Sequence, residues 1–161
     1  MKKISLLSLT AFVALSTFTG CKKDDKEDPK PQVTKTDVIT AKNWRVSADI
    51  AEFNGRTFDL YADPTVYEPC RKDDFAKFNT DKTVKFDEGI SKCDPTDPQT
   101  VTENWEFTSN ETKILFNELG GSSARVADLV ELTETTLKIR YNFTERTTGG
   151  KVVEIITYTA L

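Results

Sequence analysis

Leu137-Lys138-Ile139-Arg140-Tyr141-Asn142-Phe143-Thr144 decides the fold class. Leucine, isoleucine, tyrosine and phenylalanine take alternate positions and polar residues the others, the period of two that sends successive side chains to opposite faces of a strand. No long stretch of the chain sustains a 3.6-residue period, so the domain is expected to be all-β. Downstream, Gly149-Gly150 turns the chain into a last strand, Lys151 to Thr159. Both of its faces are apolar, Val153 and Ile155 against Val152, Ile156 and Tyr158, and it is expected to be covered on both sides.

Upstream the same texture repeats between polar turns. Ala124 to Leu132 follows the Gly120-Gly121 break, and Lys113 to Phe116 follows Ser109-Asn110-Glu111. Val101 to Thr108 sets Val101, Trp105 and Phe107 against Thr102, Asn104, Glu106 and Thr108. Asp74 to Asn79 and Thr83 to Glu88 flank Thr80-Asp81-Lys82 as a hairpin, with Val84 and Phe86 turned inward. The first strand, Asn43 to Ile50, is expected to place Trp44, Val46, Ala48 and Ile50 on one face. Before it, Asp37 to Lys42 reads as one helical turn capped by Asp37 or Thr36. Eight antiparallel strands joined mostly by short turns predict an up-and-down barrel, whose closure removes aggregation-prone edges; a two-sheet sandwich is the alternative.

Composition narrows function. The chain has 161 residues, a formal net charge of −4 and 22 basic residues that are scattered rather than clustered, so no nucleic-acid partner is expected. Histidine is absent, which removes the residue most used for proton transfer near neutral pH and the commonest metal ligand. No enzyme activity, cofactor or metal site is expected.

The first twenty residues read as an export signal: Lys2 and Lys3 form the positive start, Leu6 to Phe18 is largely apolar, and Thr19-Gly20 closes it. The apolar run is shorter than the ~18–20 residues a membrane-spanning helix needs. Phe18-Thr19-Gly20-Cys21 resembles the lipobox of bacterial lipoproteins, with Phe18 where leucine is usual. That resemblance implies cleavage after Gly20, a diacylglyceryl group on the Cys21 thiol and a palmitate-like acyl chain on its new amino group. Two or three acyl chains anchor stably, at about 0.8 kcal/mol per buried methylene. Residues 21–36, charged and proline-containing, read as a disordered tether, and residues 37–161 as the single folded domain. The adjacent acids after Cys21 read either as a plain solvated spacer or, by resemblance, as a surface-export signal of outer-membrane lipoproteins. The expected address is the outer membrane, on its periplasmic side or at the cell surface.

Trp44, Cys70-Arg-Lys-Asp-Asp74, Phe78-Asn-Thr-Asp-Lys-Thr83, Cys93, Trp105, Leu129-Val-Glu-Leu-Thr133 and Thr136-Leu-Lys-Ile-Arg-Tyr141 together resemble the lipocalin-like domain of small bacterial lipoproteins. The resemblance covers about Val38 to Leu161 and implies an eight-stranded barrel with a role in binding. This chain departs from a compact version in the connection from Glu52 to Pro69. Phe53, Phe58, Leu60 and Tyr61 make that connection apolar enough to cap a barrel mouth.

Cys70 and Cys93 are the cysteines left once Cys21 is acylated, and an exported compartment favours their oxidation. They are expected to form a structural disulfide across the hairpin. A redox pair is disfavoured because the Cys-x-x-Cys spacing is missing. Around them Asp63, Glu68, Asp73, Asp74, Asp87, Glu88, Asp94 and Asp97 are dense enough to raise calcium, but the Asp-x-Asp-x-Asp-Gly loop is absent. No carboxylate pair stands out as one for glycoside hydrolysis. Trp44, Phe86, Trp105, Tyr141 and Phe143 are the candidate ligand-lining residues, for an apolar or sugar-like molecule, although in a small barrel such residues more often simply fill the core. An interior cavity favours a binding module; a filled barrel favours a structural or interaction protein.

Overall fold

The computed structural model describes residues 32–121 and 123–161. The signal, Cys21 and most of the tether therefore lie outside the described residues. Val33–Leu161 forms one unit. Helix α1 covers Lys35–Ala41, followed by β1 (Asn43–Phe53), β2 (Arg56–Asp59), a 3-10 turn (Pro69–Asp73), β3 (Phe75–Phe78) and β4 (Thr83–Asp87). Five longer strands complete the chain: β5 (Thr100–Thr108), β6 (Lys113–Glu118), β7 (Ala124–Leu132), β8 (Thr136–Thr144) and β9 (Lys151–Ala160).

The helix starts earlier than expected. Thr34, not Thr36 or Asp37, is its cap: Thr34 Oγ1 accepts from Asp37 N at 3.1 Å and the Asp37 carboxylate accepts from Thr34 N at 2.8 Å. This reciprocal pair satisfies two otherwise orphaned N–H donors and fixes the first turn at Lys35. Ile39 on this helix is fully buried and seals one end of the barrel, where its carbonyl accepts the Trp44 indole N–H at 2.8 Å.

Strands β3 to β9 pair antiparallel in chain order, β1 precedes them beside β3, and β9 returns onto β1 from Trp44↔Ala160 to Phe53↔Val152. That ladder closes an eight-stranded barrel and eliminates the sandwich. β2 is an addition, folded back on β1 through Asn54-Gly55, both at positive φ as a tight hairpin turn requires.

The β1 faces depart from strict alternation. Val46 pairs with Tyr158 and Ala48 with the next residue, Thr157, so Ser47 is an extra residue, a β-bulge. Trp44 and Val46 point inward as expected, but beyond the bulge the phase reverses: Asp49 and Ala51 are buried while Ala48 and Ile50 are not. A bulge moves every following side chain to the opposite face.

At the helix end the interior is solid. Trp105, 1% exposed, packs edge-on against Phe78 and Phe107 at 5.2 and 5.3 Å between ring centres and donates its indole N–H to Asn79 O at 3.2 Å. Ile114, Phe116, Ala127, Leu137 and Ile139 complete this layer. Burial then fades along β8, from Leu137 and Ile139 at 1% exposed through half-buried Tyr141 to Phe143 at 47%. On β9 the inner face is Val152, Glu154, Ile156 and Tyr158, whereas outward Val153 and Ile155 are only half-buried. No further layer covers them among the described residues.

Candidate functional site

β1 meets β3 only at Asn43 and Trp44; further along, the same edge is taken by β2. The barrel wall thus parts between β1 and the β3–β4 hairpin, and the connection after β2 fills the gap. Leu60 N and Tyr61 N both donate to the Asp49 carbonyl, pulling the connection onto β1. Tyr61 and Tyr67 pack with their rings tilted at 53° and 5.0 Å between centres, with Lys72 Nζ 3.9 Å from the Tyr61 ring centre. Leu60, Val66 and Tyr67 therefore wall the opening, as the apolar character of the connection suggested, while Phe58 is instead 44% exposed on β2.

The Cys70–Cys93 disulfide, with 5.3 Å between Cα atoms, ties the 3-10 turn to the loop after β4. Asp73 reinforces it by accepting Ile90 N at 2.7 Å and Ser91 N at 3.0 Å. Several acids that raised calcium have local duties. Asp63 and Asp94 hold the turns at Thr65 and Thr96, and Asp87 accepts Gly89 N and the Gln99 amide. Among the described residues the one convergent set of metal-type ligands is Glu68, Cys70 and Cys93, and its sulfurs are bonded to each other. No three of the eight acids bring their carboxylate oxygens within 4.8 Å of one another.

Above the solid layer the interior opens into two compartments of about 560 and 500 Å³. They meet at Ala76, Phe86, Glu154, Ile156 and Tyr158, which line both. The first reaches Arg125, Tyr141 and Phe143; the second reaches Trp44, Val46, Asp49, Tyr67, Arg71 and Asp74. The barrel is closed and half hollow.

No family model matches the chain, and no curated protein matches it in sequence. Among solved structures it is similar to bovine odorant-binding protein in complex with a selenium-containing odorant, at 12% identity and a TM-score of 0.43 over 84% of this chain and 77% of that one. It is similar also to the bovine protein in complex with undecanal, at 13% identity and a TM-score of 0.44 over 83% and 77% of the two chains.

Of the five aromatic candidates, Phe86 lines both compartments, Tyr141 and Phe143 the first and Trp44 the second. Trp105 lines neither: with Phe78 and Phe107 edge-on to it and Lys82 Nζ 4.6 Å from its ring centre it is buried, and it fills the core. Sequence reading missed Asp49, Glu154, Tyr67 and Tyr158. Nothing in the sequence marks the bulge that turns Asp49 inward, where it is 7% exposed and its Oδ1 is buried without a hydrogen-bond donor. Glu154 did carry a signal, a single acid inside Val152-Val153-Glu154-Ile155-Ile156.

The β1–β9 register puts Asp49 opposite Ile156 and Glu154 opposite Ala51, diagonal neighbours on the inner face. Diagonal pairs lie within side-chain reach, and both carboxyls face the second compartment. Burial, then the charge of Glu154, raises Asp49 to about 6; burial also raises Glu154. Across the second compartment burial and Glu88 raise Asp74 to about 6, partly offset by Arg71. Burial pushes the Tyr67 phenol up to about 12 and the Tyr158 phenol higher still, so both stay protonated and able to donate.

Proposed function

We propose that this chain is an exported, lipid-anchored bacterial lipoprotein whose barrel binds a small apolar molecule. The observation that carries the binding reading is the hollow half of the barrel. Compartments of about 560 and 500 Å³ fall within the ~300–1,000 Å³ of ligand pockets, and their walls combine aromatic and aliphatic side chains with a few convergent polar groups. The packed Trp105 layer beneath provides a rigid floor, which limits the ordering cost of binding. A protein acting only through its outer face has no use for that void. The role is binding rather than catalysis.

The anchor rests on the export signal, the Phe18-Thr19-Gly20-Cys21 motif and the charged stretch behind it. It places the domain at the outer membrane, on the periplasmic side or the cell surface, where the acyl chains are its membrane contact. Native mass spectrometry of the full chain tests the binding reading: a retained molecule, released on denaturation, is expected. An unladen mass, together with no saturable binding of the neutral fluorophore phenylnaphthylamine, overturns it. Mass analysis of the processed N-terminus tests the anchor, with the lipid-borne mass expected to vanish in Cys21→Ser.

A further inference from the structure

We propose, resting on the binding reading above, that the ligand is an organic cation: an apolar body bearing an ammonium group that seats between Asp49 and Glu154. The bulge at Ser47 makes the first argument. It reverses the phase of β1 and turns an aspartate, rather than Ala48 or Ile50, into an otherwise apolar interior. Bulges that re-aim a side chain recur next to binding and active sites.

Desolvation is the second argument. A buried carboxylate is costly unless it is paired, and Asp49 Oδ1 has no donor. Neither Asp49 nor Glu154 joins an ion pair among the described residues. The charges that act on Asp49, those of Glu154 and Asp59, are of the same sign and worsen the burial. An ammonium group placed between the two carboxyls would supply the missing donors and the missing charge together.

The rest of the cavity agrees. Asp49, Asp74, Asp87, Glu88 and Glu154 line the second compartment against Arg71 alone, so the potential there draws cations in. In the first compartment the guanidinium of Arg125 is already engaged by both Glu103 oxygens, at 2.6 and 2.7 Å. Glu154 stands where the compartments join, so an ammonium held there leaves apolar space on either side for the body of the ligand.

Three matched probes test the proposal by calorimetry on the full chain near neutral pH: phenylbutylamine, phenylbutanol and phenylbutyrate. The amine is expected to bind about tenfold or more tighter than the alcohol, with the carboxylate weakest. Asp49→Asn and, at the less buried neighbour, Glu154→Gln are each expected to collapse the amine-to-alcohol ratio; the second variant decides the matter if the first does not fold. Amine affinity is also expected to fall as the pH drops through about 6, where Asp49 takes up its proton. The groups facing Asp49 are Glu154 and Tyr158 from β9, Asp59 from β2 and Tyr67 from the connection, none of them cationic. Equal binding of the three probes, or tightest binding of the carboxylate, overturns the cation and leaves the binding reading standing. Binding of none overturns both.

Discussion

Replacing Asp49 by Asn is expected to stabilise the unliganded protein, and to do so only above acidic pH. The side chain is 7% exposed, and its carboxyl is held at about 6 instead of 3.8. Below about pH 4 the carboxyl is protonated in both the folded and the unfolded chain and carries no penalty. As the pH rises toward 6 the unfolded chain gives up its proton while the folded one retains it, so stability is lost progressively and the loss levels off above about 7. At about 1.4 kcal/mol per pH unit the ceiling is about 3 kcal/mol. Solvent in the open cavity screens the charge, and a working figure is about 1–2 kcal/mol. Asn keeps the shape and removes the charge, so the difference between variant and wild type reads Asp49 together with its coupling to Glu154 and separates both from Asp74, which titrates nearby. Urea unfolding followed by the fluorescence of buried Trp44 and Trp105 reads it directly. The advantage of Asp49→Asn is expected to grow from about pH 4 to 7 and then flatten. A difference constant with pH, or a variant less stable than wild type at about pH 8, would show that Asp49 is not an uncompensated buried acid.

Three further outcomes follow from the same structure. Cys70→Ser opens a loop closed over a sequence separation of 23 and should cost about 3 kcal/mol in the chain-entropy model, with Cys93 becoming titratable as a free thiol; two free thiols in the folded wild type contradict it. Gly89→Ala should cost about 1–3 kcal/mol in the same unfolding assay, because Gly89 has a φ of +65° and an added Cβ would stand 2.6 Å from the Asp73 carbonyl oxygen; an unchanged midpoint argues that the loop simply moves aside. Trp105→Ala should cost about 3–5 kcal/mol by emptying the solid layer, whereas Phe143→Ala at the rim should cost less than about 1 kcal/mol and weaken probe binding instead. Equal melting shifts for the two would mean that the division into floor and mouth is wrong.

Much of the fold could be read locally. The strand over Ala124–Leu132 matches its expected limits, and the disulfide joins the expected cysteines. β1 and β6 run on to Phe53 and Glu118, because pairing with a neighbour extends a strand past the point where its own alternation stops, whereas β3 (Phe75–Phe78) and β4 (Thr83–Asp87) stop short of their expected limits. The aromatic candidates were legible as inward-facing but not as lining or filling. That distinction depends on how many neighbours reach the same point inside the barrel: three rings meet at Trp105, whereas Phe143 lies where the strands splay toward solvent.

What the sequence determined by itself is the strand content, the turn positions and the motif at Cys21, since side-chain alternation and turn chemistry are properties of a few consecutive residues. Tertiary structure decided the rest. Barrel rather than sandwich depends on β9 finding β1 more than ninety positions away in the chain, a pairing with no local mark. The acidic pair depends on one unpaired residue, Ser47, which reverses the faces of β1 and brings Asp49 beside Glu154. A bulge is a mismatch of count between two strands, so neither strand's own sequence contains it.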